Sequence, residues 1–166
     1  MSRNYSATYF SYKQRLLKNL YGVILLSLIV LVMVLKMPDL FLDVKWIILI
    51  ALIFATLIYF ANRNSKNYVY EIEIEKDNLI FHGESYSEEW KEIIPAKEIN
   101  VAFKSTGSRF NIFYILKFKT HNNVFEINEH NDWSSDLLVE LFEKVKELKG
   151  EKIIVDEKII IAQVRK

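Results

Sequence analysis

Two uncharged apolar runs constrain this 166-residue chain more than any other feature: residues 19–35, bounded by Lys18 and Lys36, and residues 46–61, bounded by Lys45 and Arg63. Neither run shows the 3.6-residue alternation of a helix lying on a protein surface. Apolar side chains occupy every face, as lipid exposure requires. At 1.5 Å per residue each helix reaches roughly 25 Å, the short end of a membrane span. Flanking lysine and arginine stems extend that reach by lifting their charges to the interface. The stretch after Leu35 begins Lys-Met-Pro-Asp, and no small-residue cleavage site precedes the second run, which argues against a signal peptide. Two membrane-spanning helices are expected. Pro38 and Asp39 break the helix between them, and the connection over residues 36–45 allows only an antiparallel turn, so both flanks share one side.

Charge then orients the hairpin. Arg3, Lys13, Arg15 and Lys18 precede the first run without an acid, and Arg63 and Lys66 follow the second. Positive-inside counting puts both termini in the cytoplasm, although the two lysines of the turn leave the inverted insertion open. Within residues 1–18, Tyr5, Tyr9, Phe10 and Tyr12 alternate with the basic residues. This juxtamembrane segment reads either as an interfacial amphipathic helix or as a disordered basic tail. Ala51 and Ala55 form a small-x-x-x-small pair that suits close helix approach.

Beyond the runs, residues 62–166 carry sixteen basic against nineteen acidic residues, a net charge of −3. A part of that sign lacks the positive field that supplies most nucleic-acid affinity. The absence of cysteine excludes disulfides, thiolate zinc sites and cysteine nucleophiles. At residue 68 the pattern changes to strict alternation: Tyr70, Ile72 and Ile74 face one way, and Glu71, Glu73 and Glu75 the other. Residues 79–82 return as a hairpin partner, Gly83 frees the chain, and a third strand centred on Trp90 ends at Pro95. Ile99, Val101 and Phe103 begin a fourth, and residues 105–108 read as a loop. Residues 110–119 form the longest strand, with Ile112, Tyr114, Leu116 and Phe118 on one face, and residues 124–127 pair with it. Leu137, Leu138, Leu141, Phe142, Val145 and Leu148 make the apolar stripe of a helix over residues 134–149, ended by Gly150. The expected fold is α+β: a helical hairpin, then six antiparallel strands closed by one helix over residues 68–150. Residues 151–166, with Ile153, Ile154 and Val155 followed by Ile159, Ile160 and Ile161, read as a strand-like tail.

The order of hairpins, the segment Ile94-Pro95 with Ile99 and Val101, and the closing amphipathic helix resemble the bacterial pleckstrin-homology-like domains, which often follow a membrane hairpin. The resemblance covers residues 68–149 and implies a bent sheet of about seven strands capped by the helix. It also implies a location in the bacterial inner membrane. Phosphoinositide-binding members of the wider family use basic residues around the first hairpin. Here that hairpin, residues 73–78, is mostly acidic.

No convergent catalytic set stands out. His82, His121 and His130 read as surface histidines, with His121, Glu126 and His130 the nearest approach to a metal set by sequence spacing. Glu71, Glu73 and Glu75 read as a solvated strand face. No Gly-rich phosphate loop and no nucleophile elbow is present. The chain is therefore expected to be non-enzymatic, with no cofactor, no metal and no small-molecule substrate. Its expected role is a membrane-tethered scaffold that binds a protein partner or its own copies, as a subunit or assembly factor of an envelope complex. Trp90 and Tyr114 are the candidate aromatic contacts, with Tyr70 and Phe113 beside them. The alternative is recognition of anionic lipid on the inner leaflet by Lys104, Arg109, Lys117 and Lys119.

Overall fold

In the computed structural model, which describes residues 3–36, 44–108 and 111–165, the first helix begins well before the apolar run. Helix α1 spans Tyr12–Lys36 and α2 spans Val44–Lys66. Ser11 and Gln14 set the start. The Ser11 backbone N–H donates to the Gln14 side-chain oxygen at 2.9 Å and its hydroxyl to the same oxygen at 3.2 Å, the reaching-back half of a capping box. The added turns make α1 roughly 37 Å and α2 roughly 35 Å long. The expected break at Pro38 and Asp39 lies outside the described residues.

The chain divides into two compact units. One comprises Phe10–Asn67 with Ser85–Glu88, the other Met1–Tyr9, Tyr68–Glu84 and Glu89–Lys166. In the helical unit the beginning of α1 lies beside the end of α2, so the two run antiparallel. The Tyr12 hydroxyl donates to Asn62 Oδ1 at 2.6 Å, and Asn19 Nδ2 donates to the Ser65 hydroxyl at 2.8 Å. Arg15, counted from the sequence as a flanking charge, is instead buried here and donates to the carbonyls of Ser65 and Phe10. Elsewhere most of the apolar side chains are exposed, with Val23, Val30, Val34, Ile50, Phe54 and Leu57 half-buried. The most apolar 18-residue window is 0% buried in α1 and 6% in α2, so neither is a core helix of the protein. Both helices are long and apolar enough to cross a membrane. Ser27 and Thr56 return their hydroxyls to the carbonyls of Ile24 and Leu52, which satisfies them inside their own helices. Ala51 and Ala55 are both exposed, so the small pair does not face α1.

Among the described residues the sheet unit holds seven strands, where the sequence reading finds six. The additional one, β1 (Arg3–Ser6), comes from the segment before α1. It is neither an interfacial helix nor a disordered tail. β1 joins a four-stranded sheet of order β1-β2-β3-β4 with β2 (Asn67–Glu75), β3 (Asn78–Ser85) and β4 (Glu88–Pro95). It pairs antiparallel with β2, Tyr5 opposite Ile72 and Asn4 opposite Glu73. Burial explains why four polar-looking residues become a strand: Tyr5 is 2% exposed and belongs to the same core as Ile72. Gly83 lies within β3 and does not end it. A Cβ at this position would overlap the Trp90 indole, so the glycine is there for close approach.

A three-stranded antiparallel sheet follows, of β5 (Asn100–Ser108), β6 (Asn111–Lys119) and β7 (Val124–Asn128). Residues 105–108 continue β5 because its ladder to β6 runs on to the pair Ser108 and Asn111. Val101 lies opposite Phe118, and Phe103 opposite Leu116, so alternate residues enter the core. Helix α3 (Ser135–Lys149) closes the unit. Its Leu138, Leu141, Phe142 and Val145 are 0% exposed, each worth about 1.5–3 kcal/mol relative to exposure. The Ser134 hydroxyl caps the start by accepting from the Leu137 N–H, and Gly150 takes the left-handed conformation (φ +67°) at the end.

The tail departs from expectation: Val155–Val164 forms helix α4, not strands. Asp156 and Glu157 occupy its first turn, where negative charge favours a helix. The Glu157 carboxylate accepts from the Ile154 N–H at 3.0 Å and pairs with Lys146 of α3 at 3.3 Å. Ile153, Ile160, Ile161 and Val164 pack on the core, a helical spacing that outweighs the strand preference of a β-branched run.

Candidate functional site

Strand alternation gathers the basic candidates on one face of the three-stranded sheet. Along β6, Leu116 and Phe118 point into the core, which turns Phe113, Ile115, Lys117 and Lys119 the other way. Lys104 lies opposite Ile115 on β5, and Val124 opposite Lys119 on β7. Lys104, Lys119 and Val124 are exposed. Lys117 is half-buried and pairs with Glu126 at 2.7 Å, so its charge is locally balanced. Arg109 lies outside the described residues.

The aromatic candidates are placed differently. Tyr114 is only 9% exposed, stacked on Phe103 with ring centroids 6.0 Å apart. Trp90 is half-buried, stacked on Phe125 at 5.6 Å and seated over Gly83. Phe113 lies against the His130 ring at 4.1 Å, and Tyr70 meets Tyr9 edge to face at 5.2 Å. Tyr114 is thus buried within the sheet unit, and Trp90, Phe113 and Tyr70 are half-buried, each packed on a neighbouring ring. The physical reason was visible in the alternation, since Tyr114 shares its face with Leu116 and Phe118.

A second grouping lies on the four-stranded sheet. Glu71 and Glu73 stand two residues apart on β2, on the face opposite Ile72 and Ile74, and His82 projects beside them from β3. One ligand-type atom from each of Glu71, Glu73 and His82 lies within 4.8 Å of the other two. His82 Nε2 is buried without a hydrogen bond and stands 3.8 Å from Glu73 Oε1. From β1, Asn4 Nδ2 reaches Glu71 Oε1 and Glu73 Oε1, each at 3.5 Å. Tyr70 lies alongside, its ring 6.5 Å from that of His82. Burial, then the carboxylates of Glu89 and Glu71, pushes the Tyr70 phenol above its ordinary range, so it stays protonated at neutral pH.

Sequence spacing suggested other groupings. His130 packs on Phe113 and Glu126 pairs with Lys117, so neither is drawn into a set with His121. The solvated strip of Glu71, Glu73 and Glu75 becomes, in three dimensions, two glutamates and a histidine. Only the pairing of β2 with β3 supplies His82, which single-strand periodicity does not reveal. No family model, no curated protein and no solved structure matches this chain.

Proposed function

We propose that this chain is a membrane-anchored, non-enzymatic binding module, with α1 and α2 crossing the bilayer as a hairpin and the sheet unit on the cytoplasmic side. The length and apolarity of the two helices support the anchoring, and one observation carries the hairpin topology: β1 precedes the hairpin, β2 follows it, and the two are neighbours in one sheet. A single sheet cannot lie on both sides of a bilayer. The chain therefore enters and leaves the membrane on the same side, and the excess of basic residues there favours the cytoplasm of a bacterial inner membrane. Seven strands followed by a closing helix support the resemblance to the pleckstrin-homology-like domains by number alone, since they form two sheets and β1 lies outside the residues 68–149 that it covers. In that reading the hairpin is inserted between the first two strands.

Because the chain has no native cysteine, single replacements test the topology cleanly. Ser6→Cys and Ser87→Cys, both exposed, should react with an impermeant maleimide only after cells are permeabilised, whereas Val44→Cys should react in intact cells. Labelling of Ser6→Cys and Ser87→Cys from different sides would remove the hairpin reading.

The binding surface on this reading is the outer face of the three-stranded sheet, where Lys104 and Lys119 flank the apolar Ile115 and Val124. Basic and apolar groups side by side suit an acidic protein partner, and with the aromatics engaged elsewhere this face takes over the role expected of them. The shared orientation of the lysines also favours a second reading, contact with anionic lipid. A photo-crosslinking residue in place of Lys104 or Lys119 separates the two in intact cells. A discrete protein adduct, weakened by reversing the charge of the other lysine, is the expected result. Adducts with lipid alone would move the assignment to the second reading, and no adduct at either position would exclude this face.

A further inference from the structure

We infer that Glu71, Glu73 and His82 form a binding site for a divalent transition-metal ion of the zinc or manganese class, a property beyond the binding function proposed above. Two carboxylates and a neutral imidazole supply two negative charges and a mixed oxygen and nitrogen donor set. Zinc and manganese accept such donors, whereas calcium and magnesium favour oxygen ligands alone. Metal–ligand bonds of about 2.0–2.2 Å place tetrahedral donors roughly 3.3 Å apart. The three groups already lie within 4.8 Å of one another, so rotation of the two flexible glutamate side chains closes the remaining distance. Water completes the coordination.

His82 supplies the independent observation. Its Nε2 is buried and makes no hydrogen bond, yet it faces the Glu73 carboxylate at 3.8 Å, too far for a hydrogen bond. An ion seated between them gives that nitrogen the partner it lacks. Asn4 supplies outer support: its amide reaches both glutamates from β1, restraining the carboxylates as second-layer partners restrain ligands in metal sites. The ion would thus tie β2 to β3 on the sheet face that Asn4 of β1 shares.

The test uses the full chain, purified in mild detergent without a polyhistidine tag, stripped with chelator and titrated with zinc chloride while calorimetry and thermal melting are followed. One ion per chain and a rise in melting temperature are expected, with no rise in calcium or magnesium. His82→Ala and Glu73→Gln should each weaken zinc binding by at least about tenfold and abolish the rise, while His121→Ala and His130→Ala leave both unchanged. Glu71→Gln, which keeps the side chain's shape, provides the same reading should His82→Ala fail to fold. Absence of zinc binding would overturn the assignment. So would zinc stabilisation that survives both Glu73→Gln and Glu71→Gln, or that is lost in His121→Ala or His130→Ala.

Discussion

Trp133→Ala should destabilise the sheet unit by about 3–5 kcal/mol, a large share of the stability of a domain of this size. Trp133 is 1% exposed, immediately before the cap of α3, and its indole N–H donates to the Val69 carbonyl at 3.0 Å. Truncation removes the largest buried side chain in the unit and leaves the Val69 carbonyl without that donor. Trp133→Phe separates the two effects, since it retains most of the packing and loses only the hydrogen bond. Its expected cost is about 1–3 kcal/mol. Urea titration of the detergent-solubilised chain, followed by loss of the sheet circular dichroism signal, gives both values. Equal costs for the two variants would mean that the hydrogen bond, not the packing of the indole, is what matters at this position.

Trp133 also illustrates what a single sequence conceals. The residues that declare themselves belong to regular patterns: the uncharged runs of the two helices, the alternation of β2 and β6, and the stripe and terminal glycine of α3. In each case the evidence lies within about twenty neighbouring residues, and one period identifies the element. Trp133 stands between elements, so no period includes it, and only its distant partner Val69 gives it a role. β1 is hidden for the same reason. Arg3 to Ser6 show no apolar alternation, and their partners on β2 lie more than sixty positions away, beyond both helices. In the tail, local preference points the wrong way: the isoleucines favour a strand, but contacts of Glu157 with Lys146 and of Ile161 with the core select a helix.

The functional groups follow the same division. The common face of Lys104, Lys117 and Lys119 was legible because it follows from alternation along strands that the sequence identifies. The grouping of Glu71, Glu73 and His82 was not, because it depends on how two strands pair. The burial of Tyr114 follows from its alternation with Leu116 and Phe118, whereas the half-burial of Trp90 was hidden because an aromatic ring is as useful to a core as to an interface. Gly83 offered a clue for Trp90, since a glycine inside a strand often marks the close approach of a bulky neighbour.

Tyr5→Ala should cost about 3–5 kcal/mol and release β1 from the sheet, whereas Tyr5→Phe should be neutral or stabilising by up to about 1 kcal/mol. The contrast arises because the ring and the hydroxyl of Tyr5 have opposite standing. The ring is 2% exposed, packs with the core opposite Ile72, and anchors a strand of only four residues. The hydroxyl is buried without a hydrogen-bond partner, and burial pushes its pKa above the ordinary phenol range, so it remains neutral and gains nothing from ionisation. Removing the hydroxyl therefore relieves a desolvated polar atom, while removing the ring opens a cavity and leaves the β2 edge unpaired. The ion pair of Arg3 with Glu140, largely exposed to solvent, is too weak to hold β1 alone. Amide hydrogen exchange distinguishes local release from global unfolding. Accelerated exchange confined to residues 3–6 and the β2 edge, with α3 still protected, is expected for Tyr5→Ala. Wild-type protection at those amides would show that β1 is held by its backbone ladder rather than by this side chain, and the constraint that β1 places on the hairpin would then depend on the ladder alone.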